Sequence, residues 1–208
     1  MSILQFESAQ APLDHAGVAA VAAQVLGRAE AMGLLTSTAP VRRLDLPTLL
    51  RLIREVTRAS NVGRDVLTTL SSPRSSADQI TVALRRLSEE LEQSPVPEHE
   101  WQAVVNTLGN DLVTRLVGVS DASIRRYAAG SRTTPDEVAD RLHFLALVVA
   151  DLSGSYNAFG IRRWFQRERS QLGHRSPQAL LHGAWRSDAA NAEQIRGLAR
   201  ALTGPLAT

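Results

Sequence analysis

The side chains in this sequence best suited to chemistry are two arginines set among small residues, and the chemistry is the reading of a DNA duplex. Between Ser120 and Gly130, Ala122, Arg125, Arg126 and Ala129 recur at the i, i+3, i+4, i+7 spacing of one helical face. A guanidinium can pair bidentately with guanine in a major groove, and alanine neighbours let the helix approach closely. Ser120, Ser123 and Arg132 suit phosphate contacts. The expected DNA-binding set is therefore Ser120, Asp121, Ala122, Ser123, Arg125, Arg126 and Arg132. The plainer reading, a solvated face on any short helix pair, fits the same residues.

Catalytic chemistry finds no comparable constellation. His15, His99, His143, His174 and His182 are scattered, with no pair at a helical metal-binding spacing. There is no nucleophile elbow, phosphate-cradling glycine loop or dinucleotide fingerprint. Glu89 and Glu90 belong to an amphipathic helix and read as solvated. The chain reads as a non-enzyme without metal or cofactor.

The arginine ridge needs elements to hold it. Residues 109–130 read as helix, turn and helix, with Val113, Val117, Val119, Ile124 and Tyr127 where the two helices must touch. Gly118 marks the break, where a left-handed backbone costs least without a Cβ. Ser120 is the expected N-cap of the second helix. Just upstream, Trp101, Val104, Val105 and Leu108 form the buried side of a helix that follows the proline-marked linker Ser94–Pro97. Downstream, Thr134-Pro135-Asp136-Glu137 predicts a helix capped by Thr134 and running to about Leu152. From Leu142 onward that helix is apolar nearly all round, as a central buried helix should be.

The first hundred residues predict helices over about Asp14–Met32, Pro47–Ala59 and Ala77–Gln93, the last opened by a Ser76/Gln79 capping box. Val18, Val21 and Val25 stripe the first; Leu49, Leu50, Leu52, Ile53 and Val56 fill the second. Ile80, Leu84, Leu87 and Leu91 make a seam suited to another helix, within the chain or across a dimer. A final helix is expected over about Asp188–Leu202. No window alternates apolar and polar residues for long, and aromatics are only 4%, so the fold class reads as all-α.

Composition narrows the partners. With 44% apolar residues in 208, the chain can build a proper core, and the absence of cysteine excludes disulfides and thiolate metal sites. The longest apolar run, Leu142–Ala150, falls well short of the roughly 20 residues of a membrane span. Met1–Gln10 shows neither a basic start nor an apolar run, so a cytoplasmic protein without membrane contact is expected. There is no lysine: all 23 basic residues are arginine, and a net charge of +2 suffices to raise the pI to 9.9. Distribution says more than the total. Residues 1–100 carry 10 Arg against 12 acidic residues, while 101–208 carry 13 against 9, so positive charge gathers in the half that holds the ridge.

The segment RRWFQRERSQLGHRSPQALL resembles the C-terminal toxin-binding domain of Xre/MbcA/ParS-type antitoxins. The matching features are Arg163-Trp164, Leu172-Gly173, Arg175, Ser176-Pro177 and Leu180-Leu181, and such antitoxins often carry an Xre-like helix-turn-helix just before them. The resemblance spans about residues 105–205. It implies a multi-helix protein that neutralises a RES-type, NAD-acting toxin by direct binding and represses its own operon on duplex DNA, as a homodimer or a larger hetero-oligomer with toxin. The toxin-binding set it implies is Arg162, Arg163, Trp164, Arg167, Arg169, Leu172, Gly173, Arg175 and Pro177. Three regions are expected: a helical extension at 1–94, where the chain departs from the family pattern, a helix-turn-helix domain at 98–152 and a toxin-binding domain at 153–208. A stand-alone DNA-binding regulator, or a helical scaffold that binds only protein, could use the same modules.

Overall fold

The computed structural model describes residues 2–202. It is mainly helical, with eleven α-helices among the described residues, and it divides into two compact units, 1–95 and 96–208. The first unit opens with a strand, β1 (Leu4–Ala9), followed by α1 (Ala16–Ala31), β2 (Val41–Leu44), α2 (Leu46–Ser60), α3 (Arg64–Ser71) and α4 (Ala77–Glu92). β1 and β2 pair in parallel, Leu4 opposite Val41 and Ser8 opposite Arg43, with an irregularity between them. This sheet corrects the all-α expectation. Its strands are six and four residues long, too short for alternation to stand out, and the pairing joins segments on either side of α1.

Packing in the first unit follows apolar spacing. On α1 the buried stripe is Val18, Ala22, Val25, Leu26 and Ala29, while Val21 stays half-exposed. The capping box of α4 forms: Gln79 N–H donates to Ser76 Oγ at 3.2 Å and Ser76 N–H to Gln79 Oε1 at 2.9 Å. Ile80, Leu84, Leu87 and Leu91 are buried within the unit, where α4 packs on α1 and α3, so the seam is filled without a second chain. Arg28 is buried as well, its guanidinium 2.6 Å from Glu92 and donating to the Ser88 carbonyl and hydroxyl. α3 had no sequence signature. It is eight residues long and begins after Gly63, which supplies a left-handed backbone at φ +82° but no capping side chain.

The second unit holds α5 (Pro97–Leu108), α6 (Asn110–Val117), α7 (Asp121–Ala128), α8 (Asp136–Ser153), α9 (Ala158–Gln166), α10 (Pro177–Leu180) and α11 (Ala190–Arg200), with a 3-10 turn at Ser170–Leu172. α8 is its axis: every residue from Leu142 to Val149 is buried, and α5, α6, α9 and α11 all pack on it. Residues 98–152 and the segment from 153 onward therefore share one core. No single helix among the described residues is long and apolar enough to cross a membrane.

The start of α8 differs from expectation. Pro135 occupies the N-cap position without a side-chain cap, and Thr134 Oγ1 accepts the indole N–H of Trp101 at 2.9 Å instead. A fully buried indole needs an acceptor more than a solvent-facing helix end needs a cap.

Candidate nucleic-acid interface

Two short helices and a glycine turn build the ridge. α6 ends at Gly118, whose φ of +78° is the left-handed conformation that a side chain would strain. Three residues on, α7 opens with Ser120 as N-cap: its Oγ accepts the Ser123 N–H at 3.2 Å and lies 3.0 Å from the Ser123 hydroxyl. Leu112, Val113, Leu116 and Val117 on α6 are buried with Ile124 and Tyr127 on α7, while Val119 in the turn is half-exposed. That burial fixes which way α7 faces. Ala122, Arg125, Arg126 and Ala129 are all exposed, along one side of the helix.

The two ridge arginines differ. Arg125 Nη2 lies 2.6 Å from Asp121 Oδ2, an i, i+4 ion pair, with 72% of the arginine side chain exposed. Arg126 is exposed and has no carboxylate partner among the described residues. Beyond the helix, the Arg132 guanidinium lies over the Tyr127 ring, 5.5 Å from its centroid, and Tyr127 stacks on Trp101 at 5.6 Å. So Asp121, although it sits in the expected DNA-binding set, holds Arg125 along the helix axis in the free protein.

Residues the sequence reading left unassigned brace the turn. Arg141, half-buried on α8, donates Nη1–H to the Val117 carbonyl at 3.1 Å and Nε–H to the Trp185 carbonyl at 2.8 Å. Trp185 donates its indole N–H to the Leu116 carbonyl at 2.6 Å and packs its ring edge-on against Phe144. These bonds satisfy the last carbonyls of α6, which have no partner within the helix. They reach across 24 and 69 residues of chain, so no local spacing announces them.

Between α5 and α8 lies a buried acid–base pair. Glu100 Oε1 is 2.5 Å from His143 Nδ1, joining α5 to α8. Burial pushes the Glu100 carboxyl above its usual range, and the His143 hydrogen bond and charge oppose that shift in part. Its second oxygen is buried without a hydrogen-bond partner. His143 falls within the apolar run Leu142–Ala150, and no local spacing links it to Glu100, 43 residues earlier.

The C-terminal basic segment splits into inward and outward residues. Trp164 is 2% exposed and packs edge-on against Phe165; Leu172 and Pro177 are buried too. These three of the nine residues implied for toxin contact serve the core. Arg163, Arg167, Gly173 and Arg175 are exposed, and Arg162 and Arg169 half-exposed. The Arg169 guanidinium lies 4.5 Å from the centroid of the Trp164 ring, and the Arg169 backbone N–H donates to the Arg175 carbonyl at 3.1 Å. Burial holds the Arg169 guanidinium below its ordinary value. Ser176 caps α10, its Oγ accepting the Ala179 N–H at 3.2 Å.

Among the described residues no group of three or more histidines and carboxylates is placed to hold a metal ion. Comparison of the chain with protein-family profiles, with characterised proteins and with solved structures found no match.

Proposed function

We propose that this chain is a DNA-binding antitoxin. α7 enters the major groove of an operator, Arg126 and Arg125 reach base edges, and Ser120, Ser123 and Arg132 take phosphates. The segment from residue 153 binds and neutralises a RES-type toxin that acts on NAD, through the exposed Arg163, Arg167 and Arg175 and the half-exposed Arg162 and Arg169 rather than through Trp164. The protein works in the cytoplasm without catalysis of its own, as a homodimer or a larger assembly with toxin. One observation carries the DNA half: Ile124 and Tyr127 are buried while Ala122, Arg125, Arg126 and Ala129 all face outward behind a capped helix start.

A titration of the full chain against the DNA upstream of its gene and against random duplex tests that half. Selective binding that weakens in Arg126→Ala supports it; equal binding of both duplexes by both proteins defeats it. Co-expression with the adjacent gene product tests the other half, through rescue of growth that charge reversal at Arg163 and Arg167 abolishes.

A stand-alone DNA-binding regulator is the second reading, favoured by the burial of Trp164, Leu172 and Pro177. With these in the core, the motif that carries the family resemblance is largely a folding motif. Growth rescue that is indifferent to the exposed arginines would select this reading.

A further inference from the structure

A groove of about 470 Å³ opens in the second unit where α6 faces α9 and α10. That volume lies within the range of small-ligand sites, roughly 300–1,000 Å³, yet the lining is polar rather than apolar. Arg115 and Arg162 supply two guanidiniums, Asn110, Gln166 and Gln178 three carboxamides, and Asp111 one carboxylate. Neither arginine has a hydrogen-bond or ion-pair partner among the described residues, whereas Arg28, Arg86, Arg125 and Arg186 each hold a carboxylate. Two unpaired cations from different helices meeting at one concavity, against a single carboxylate, leave it positively charged. A guanidinium is a planar fork of donors that matches the oxygens of a phosphate, and a phosphate has oxygens enough for two such forks. A lone carboxylate has two oxygens and would satisfy one of them.

We propose that this groove binds a phosphate group between Arg115 and Arg162, with the carboxamides of Gln166 and Gln178 taking the neighbouring polar atoms of the ligand. The phosphate is carried either by a small ester or by the backbone of a duplex. The second source rests on the DNA-binding reading; the first does not.

Calorimetric titration of the full chain with inorganic phosphate and adenosine monophosphate forms one arm, and titration with random duplex the other. Both arms compare wild type with Arg115→Gln, Arg162→Gln and the double variant, with Arg85→Gln on α4 as control. A small ester is the source if phosphate and the nucleotide bind wild type at about millimolar level and each groove variant loses about tenfold. A duplex is the source if only duplex binding weakens and the salt slope falls by about one for each arginine removed. Asp111→Asn, which touches neither guanidinium, is expected to tighten binding in whichever arm responds. The proposal is overturned if the double variant melts like wild type and matches it in both arms, or if wild type binds no phosphate in either. Wild type that binds the nucleotide but neither random duplex nor the DNA upstream of its gene sinks the operator reading and leaves the groove standing.

Discussion

Trp185 and Leu116 are joined by a hydrogen bond of 2.6 Å, from an indole N–H to a helix-terminal carbonyl. It ties the loop after α10 to the last turn of α6, next to the glycine elbow that aims α7. Arg141 adds a second tie by bonding both the Val117 and the Trp185 carbonyls. The segment carrying Trp185 is thus bonded directly to the end of α6 rather than appended to it.

Removing that tie should be measurable. Trp185→Phe keeps a smaller aromatic ring beside Phe144 and leaves the Leu116 carbonyl without its indole donor. The expected loss is about 1–3 kcal/mol of stability, read as a lower urea midpoint with unchanged m-value. An unaltered midpoint would mean that water replaces the bond at no cost.

On the ridge, Asp121 and Arg125 make a prediction of opposite signs. Arg125→Ala is expected to lose about 1–3 kcal/mol on the cognate site and to relax its specificity. Asp121→Asn releases the guanidinium and removes a negative charge from the duplex-facing side, so binding to random DNA should tighten. A salt titration of both variants checks this, and weaker random binding by Asp121→Asn would contradict it.

Glu100 carries a pH dependence whose sign follows from its burial. Its carboxyl is held above the usual value, so burial favours the protonated form. The stability it contributes is complete below the ordinary glutamate range, about 4.3, and is lost as pH rises through the elevated value. Glu100→Gln cannot ionise, and relative to wild type it should gain stability as pH climbs through that window. Urea unfolding at a series of pH values decides it; a constant difference between the two proteins would refute the assignment.

Gly63 in the first unit and Gly130 in the second make a controlled comparison. Both hold a left-handed backbone, at φ +82° and +67°. A Cβ on Gly63 would lie 2.7 Å from Cδ1 of the fully buried Leu87, whereas one on Gly130 meets nothing within 4 Å. Gly130→Ala should therefore cost about 1 kcal/mol, and Gly63→Ala more, because the Leu87 side chain must first shift aside. Thermal melts of the two variants rank them, and equal shifts would show that the α4 side yields easily.

Much of the local architecture was readable from residue order. Ser76 and Gln79 sit three apart and answer each other's backbone, and Ser120 precedes the first turn of α7, so both helix starts could be named in advance. The outward face of α7 was readable too, since Ile124 and Tyr127 mark the opposite side at helical spacing. Thr134 shows where local rules fail: the cap expected there lost to a distant indole, Trp101. Trp164, which the resemblance implied for toxin contact, went inward with Phe165, because an aromatic residue among arginines suits a core and an interface equally well.

Periodicity and capping are properties of neighbours along the chain, and they were enough to establish a mainly helical protein with an arginine ridge behind a glycine elbow. The parallel pairing of β1 with β2, the Glu100–His143 pair and the Trp185–Leu116 tie came from folding, as did the meeting of Arg115 with Arg162 at one groove. Each of these joins residues far apart in order. The free energy of such contacts exists only after the chain has closed the loop between them, so residue order alone carries no mark of it.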